Sequence, residues 1–303
     1  MSETEWYRDD LQQLRTPDGA HITYLDRGEG EAIVLLHGYP QSHLAWRRVI
    51  EQLSRNHRVI APDWVGWGRS ERPLDLSYDY ESEVARVAGF IDALGVEKYN
   101  LFGHDYGGYL ALGLHRLHPQ RFLRLAILNS RAHRVFPGLR HWLFTAVGWW
   151  ARIWGLREIF RICPVGWLHR GALSGAGWAR LISIRAELPP DGRDDTLLQA
   201  YTGWMDTQPG RLWFRRFYQD YRTAERPALV AELGRIRCPT AVVWGTEDAW
   251  CPMTIAEDLA ERIDAAVLTE CAGIGHFVME EAAPAVLAAL EVLLSRPSAG
   301  IRH

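Results

Sequence analysis

Short apolar runs rich in Val, Ile and Leu recur along the chain, each closed by a Gly, Asp or Asn turn, with longer amphipathic stretches between them. Few architectures accept that rhythm, and it predicts an α/β fold with a mostly parallel central sheet flanked by helices. The runs Ala32 to Leu36, Arg58 to Ala61, Asn100 to Phe102, Leu125 to Leu128, Thr240 to Trp244 and Ala266 to Thr269 are continuous rather than alternating. Strands covered on both faces read that way. Apolar spacing predicts helices at Tyr80 to Leu94, Gly107 to His118, Met253 to Ile263 and Pro284 to Leu294.

The rhythm stops between Arg131 and Arg226. Strand signals vanish there, and eight of the fourteen tryptophans fall in that stretch. It resumes at Arg237-Cys238-Pro239-Thr240. The economical reading is a helical cap inserted after a strand end, where open α/β sheets bind ligands. Residues 1–130 and 227–303 then form the two parts of the core, and residues 131–226 the cap. A helical domain packed beside the core is the plainer alternative.

A net charge of -3 and a pI near 6.5 give no reason to expect nucleic acid, so a small-molecule substrate is the expectation. The first residues carry acids and lack a basic segment followed by an apolar one, so no secretory signal is expected. In the tryptophan-rich stretch the longest run free of charge, His141 to Ala151, is well short of the ~20 residues of a membrane helix. No integral membrane segment is expected, and a homodimer is compatible with the sequence. Cys163, Cys238, Cys251 and Cys271 form no C-x-x-C pair and read as free thiols in a reducing cytoplasm. No phosphate loop, metal-ligand cluster or dinucleotide fingerprint stands out, so neither cofactor nor metal is expected.

The segment Asn100-Leu-Phe-Gly103-His104-Asp105-Tyr106-Gly107-Gly108 runs from an apolar strand into a helical pattern. Its glycines allow a strained turn that pushes the central side chain out above the sheet. Here that side chain is a carboxylate, and no G-x-S-x-G occurs in the chain. A helix N-cap role for Asp105 would need neither the flanking His104 nor a matching His276. Ser70 lacks the second glycine of such a turn and reads as part of a loop. His104 should point to the other side of the strand and be structural.

These motifs resemble the α/β-hydrolase superfamily, and within it the branch of epoxide hydrolases and dehalogenases that use an aspartate nucleophile. His37-Gly38-Tyr39-Pro40 is similar to the oxyanion loop of that family, and Val59-Ile-Ala-Pro-Asp63 with Gly66-Trp-Gly68 to the strand and loop that follow. Val243-Trp-Gly245-Thr-Glu-Asp248 resembles the strand end that carries the triad acid, and Gly275-His276-Phe277 the histidine loop. The order nucleophile, acid, histidine agrees with the family.

The resemblance implies catalysis by Asp105, Asp248 and His276, with an oxyanion hole from the backbone N–H groups of Tyr39 and Tyr106. A carboxylate is ionised at neutral pH and needs no base for its first attack. Its natural target is a saturated carbon bearing a leaving group, and displacement leaves an alkyl ester on Asp105. His276, supported by Asp248, then activates water against that ester. The haloacetate-dehalogenase pattern is similar to His37-Gly-Tyr-Pro-Gln41, His141-Trp142 and Asp220-Tyr221-Arg222-Thr223-Ala224, which makes His141, Trp142 and Tyr221 donors to a departing halide. Two arginines of that family are replaced by Tyr106 and Tyr109. Epoxide hydrolases instead use two cap tyrosines, a role open to Tyr201, Tyr218 or Tyr221. The sequence reading therefore leads with a hydrolytic dehalogenase. An epoxide hydrolase is the alternative, followed by another α/β-hydrolase activity or a non-catalytic receptor.

Overall fold

The computed structural model describes residues 10–130, 195–221 and 226–298. One eight-stranded sheet organises them: β1 (Leu11–Arg15), β2 (His21–Arg27), β3 (Ala32–Leu36), β4 (Arg58–Pro62), β5 (Tyr99–His104), β6 (Phe122–Leu128), β7 (Thr240–Gly245) and β8 (Ala266–Cys271). Their order is β1-β2-β4-β3-β5-β6-β7-β8. From β4 to β8 all neighbours are parallel, while β2 pairs antiparallel with both β1 and β4.

All six expected strands are present, extended at one or both ends except β3. The β1–β2 hairpin was not anticipated. Leu11-Gln-Gln-Leu-Arg15 is a half-exposed edge with little apolar content, and only the middle of β2 is buried. Edge strands lack the two-sided apolar run that reveals the others.

Alternate residues of each inner strand feed opposite layers. Val34, Leu36, Ile60, Leu101, Ile127 and Val242 face one core, and Ile33, Leu35, Val59, Phe102, Ala126 and Val243 the other. The first is covered by α2 (Tyr80–Ala93), α3 (Tyr106–Leu117) and α7 (Met253–Arg262), the second by α1 (Arg47–Leu53) and α9 (Ala283–Ser295). Each fully buried Leu, Ile or Val side chain contributes about 1.5–3 kcal/mol of hydrophobic stabilisation. Helix α2 starts cleanly because Asp79 accepts from the Ser82 N–H at 3.0 Å and Glu81 and Glu83 occupy its first turn.

Of residues 131–226, those described between 195 and 221 are helical. They form α4 (Asp195–Thr202), a 3-10 turn (Gly203–Asp206) and α5 (Gln208–Asp220), and α6 (Pro227–Leu233) follows. His141, Trp142 and Cys163 lie outside the described residues. Tyr201 of α4 donates to the buried Glu280 at 2.6 Å, and Arg47 binds both oxygens of the same carboxylate at 2.6 Å. Glu280 lies in α8 (Val278–Glu281). Among the described residues no helix is long and apolar enough to cross a membrane.

Parallel register brings the carboxyl ends of five strands to one edge. Leu36 pairs with Gly103, His104 with Leu128, Leu128 with Val243, and Gly245 with Cys271. Strand β4 lies on one side of β3 and β5 on the other, so the chain reverses direction across the sheet there. Such a reversal opens a crevice beyond the strand ends.

Candidate active site

Asp105 stands in that crevice, between β5 and α3. Its φ of 47° and ψ of -115° are strained for a residue with a side chain. The turn holds because its N–H donates to the Leu128 carbonyl at 3.1 Å and Ser130 Oγ donates to its carbonyl at 2.7 Å. Glycine is required on both sides by close approach. A Cβ on Gly107 would stand 2.2 Å from the Leu36 carbonyl oxygen, and one on Gly103 2.6 Å from the Gly107 and Gly108 backbone. The Asp105 side chain does not cap α3. Instead Oδ1 accepts the Tyr39 backbone N–H at 2.8 Å. Tyr106 opens α3 directly after Asp105.

Asp105, Asp248 and His276 come together although they are far apart in sequence. His276 Nδ1 lies 2.7 Å from Asp248 Oδ2, so the ring donates there. Its Nε2 lies 3.6 Å from Asp105 Oδ2, an ion-pair contact longer than a hydrogen bond. The other oxygen of Asp248, Oδ1, accepts the N–H groups of Trp250 at 2.6 Å and Cys251 at 2.9 Å, which fixes the carboxylate in its turn.

Sequence reasoning missed a fourth member. Asn129, just beyond β6, donates to Asp248 Oδ2 at 2.7 Å and accepts the Gly245 N–H at 3.0 Å. Its φ of 35° is left-handed, and with Asp105 it is one of two non-glycine residues with positive φ among those described. A polar Asn-Ser pair ending the apolar run of β6 was the available signal.

Burial opposes charge on Asp105, but contact with the protonated His276 outweighs it and holds the carboxyl below its ordinary 3.8. Burial likewise opposes charge on His276. The carboxylates of Asp248 and Asp105 reverse that effect and raise the ring well above 6.5. The resting pair is therefore carboxylate and imidazolium.

His104 is structural, as expected, yet tied to the site. It lies 2.8 Å through Nε2 from the His276 carbonyl and 3.1 Å through Nδ1 from the Gln41 side chain. Burial pushes its pKa down to about 4, so it is neutral and donates from Nε2. His37, also lowered by burial to about 4, accepts the Trp64 N–H and braces the Gly38 carbonyl. Ser70 is a loop residue, bridging Thr23 N–H and the Asp63 carbonyl.

Aromatic side chains line the side facing α5. The hydroxyls of Tyr39 and Tyr218 are 2.5 Å apart. Burial raises the Tyr218 phenol well above 10, and the Asp105 charge adds to it. Tyr221 lies 5.6 Å from Tyr218 and 5.9 Å from Tyr106 between ring centres. Helix α5 is held to the core at its end, where Asp220 accepts the Tyr78 N–H at 2.9 Å and Arg216 at 2.7 Å. In its middle, Trp213 stacks edge-on against Trp67 and Tyr78. Tyr39, Tyr106, Tyr218 and Tyr221 thus share one neighbourhood with Asp105, whereas Tyr201 points to Glu280 instead.

The chain is 26% identical over 281 residues to the cis-3-alkyl-4-alkyloxetan-2-one decarboxylase of Shewanella oneidensis, covering 89% of this chain and 84% of that protein. It is 26% identical over 287 residues to haloalkane dehalogenase 2 of Mycobacterium tuberculosis, covering 89% of this chain and 90% of that one. Among solved structures, an epoxide hydrolase from metagenomes of hot environments superposes with a TM-score of 0.70 at 25% identity, covering 94% and 98% of the two chains. The alpha/beta hydrolase fold model matches residues 31–283, so the chain belongs to the alpha/beta hydrolase fold family.

Proposed function

We propose that this hydrolase opens a small strained oxygen ring, as in an epoxide, through an alkyl ester on Asp105. The observation that carries the reading is the Tyr39–Tyr218 hydroxyl pair, near enough to Asp105 for its charge to weigh on Tyr218. A departing alkoxide is far more basic than a phenolate and needs a proton. A halide needs only hydrogen bonds. Two linked hydroxyls supply the proton and spread the charge left behind. The relatives named for an oxetan-2-one and for epoxides support the same class, since both names describe small oxygen rings.

Asp105 Oδ2 attacks a ring carbon, the carbon–oxygen bond breaks, and the oxygen takes a proton from the tyrosine pair. The ester has now removed one of the two carboxylates that raise His276. The imidazolium gives its proton to the tyrosinate and becomes a base at the moment one is needed. Water loses a proton to His276 and adds to the ester carbon, while the oxygen held by the Tyr39 N–H takes the developing charge. Collapse releases the alcohol, which takes the proton of the new carboxyl group, and carboxylate and imidazolium return. Asp248 and Asn129 orient the ring, and residues 131–226 act as the cap.

Hydrolytic dehalogenation is the second reading, supported by the dehalogenase relative and by the hydroxyls of Tyr39, Tyr218 and Tyr221 as halide donors. One experiment addresses both. The His276→Gln variant, mixed in single turnover with epoxides and with haloalkanes, should accumulate a covalent adduct on Asp105 visible by mass spectrometry. Turnover without adduct would sink the two-step chemistry, and labelling by haloalkanes alone would move the assignment to dehalogenation.

A further inference from the structure

We propose that Asp248, Cys251 and His276 form a binding site for a borderline-soft divalent cation of the zinc class. One ligand atom from each of the three residues lies within 4.8 Å of the others, and all three side chains are buried. Cys251 is a thiol outside any disulfide. The turn that carries both Asp248 and Cys251 spends the carboxylate's Oδ1 on the N–H groups of Trp250 and Cys251. Oδ2 faces His276 Nδ1 at 2.7 Å and also accepts the Asn129 side-chain N–H at 2.7 Å, with the thiol in the same cluster.

The donor set selects the ion. One sulfur, one imidazole nitrogen and one carboxylate oxygen suit Zn²⁺, Co²⁺ or Cd²⁺ and disfavour Mg²⁺ and Ca²⁺, which want oxygen. Tetrahedral coordination at ~2.0–2.3 Å sets ligand atoms roughly 3.3–3.7 Å apart, so Asp248 Oδ2 and His276 Nδ1 must part from 2.7 Å while the more distant ligand atoms, within 4.8 Å, close in. Binding releases the thiol proton and the Nδ1 proton to water, so affinity rises with pH. The ion displaces the Nδ1 proton and parts the His276–Asp248 hydrogen bond. With Nδ1 bound to the ion, the ring can no longer donate to Asp248.

Co²⁺ titration of the full-length protein tests the site without any substrate. The expected result is one ion with tetrahedral d–d bands and a thiolate-to-cobalt charge-transfer band. In Cys251→Ala the charge-transfer band should be lost and affinity weakened by more than about tenfold. An unchanged spectrum in that variant, or no thiolate band in the parent, overturns the proposal. Should the variant fail to fold, alkylation of the unmodified protein followed by peptide mass spectrometry reads the same site. Zn²⁺ should slow modification of Cys251 more than that of Cys238 or Cys271, and chelation should reverse it. Equal protection of all three, or of none, refutes the site.

Discussion

Asn129 donates its side-chain N–H to Asp248 Oδ2 at 2.7 Å, the same oxygen that receives His276 Nδ1. Two donors on one buried oxygen leave the carboxylate a single orientation, and the left-handed backbone of Asn129 aims its amide there. Removing that amide by Asn129→Gly, which keeps the backbone conformation accessible, should slow ester hydrolysis by tenfold or more. It should also lower stability by about 1.5–3 kcal/mol, the worth of a hydrogen bond to a charged group. Asn129→Ala should be worse because it adds strain at positive φ. Single-turnover rates and urea midpoints of the two variants check this. A purely structural role would move stability while leaving the pH profile of the second step unchanged.

The ion pair between Asp105 and His276 makes stability depend on pH in a defined direction. Asp105 is depressed below 3.8, so its contribution is present above that value and lost as pH falls through the depressed one. His276 is raised above 6.5, so its contribution is full below 6.5 and lost as pH rises through the raised value. Both are present together between about pH 4 and 6.5. The urea midpoint of the parent should exceed that of His276→Gln most in that window, with the gap narrowing at alkaline pH. A gap that widens above neutrality would contradict the assignment.

Tyr39→Phe and Tyr218→Phe should each slow ring opening by about a hundredfold, the lower end for a positioned acid. Because the two hydroxyls share one hydrogen bond, the double variant should lose much less than the product of the single losses. Stopped-flow formation of the ester in a His276→Gln background measures the step directly. Equal effects on haloalkane and epoxide substrates would return the pair to a packing role.

Glu280 should prove one of the most sensitive buried charges. Its replacement by Ala takes the carboxylate away from the Arg47 guanidinium and the Tyr201 hydroxyl, at about 3–5 kcal/mol for a broken buried pair. Thermal and urea denaturation read this. Glu280→Gln, which keeps the shape and one acceptor, should fall between parent and Ala.

Gly107→Ala tests the elbow. The added carbon would meet the Leu36 carbonyl oxygen at 2.2 Å, and backbone cannot swing aside as a side chain can. A stability loss of about 1–3 kcal/mol or more is expected, with loss of adduct formation at Asp105.

The inner strands were legible because burial on both faces leaves a continuous apolar run, as in Ala32-Ile-Val-Leu-Leu36. The elbow was legible because steric need writes glycine at fixed spacing around Asp105. Leu11–Arg15 was not, since an edge strand draws its order from its neighbour rather than from its own side chains. Asn129 was hidden for a different reason: its partners Gly245 and Asp248 are more than a hundred residues away. The Tyr39–Tyr218 contact likewise joins the strand-end loop to α5, which no local pattern reports. Tyr39 and Tyr218 were both named for the site, but nothing in the sequence joined their hydroxyls.

The unequal surroundings of the two Asp105 oxygens have an isotopic consequence. Oδ1 is held by the Tyr39 N–H while Oδ2 faces His276. Under the proposed chemistry, Oδ2 leaves with the alcohol at each turnover and an oxygen from water takes its place. In heavy-oxygen water the first product therefore carries an atom from the protein, and only later products carry label from solvent. A carboxylate that cannot turn over in its cradle exchanges one oxygen on every cycle and keeps the other for the working life of the enzyme.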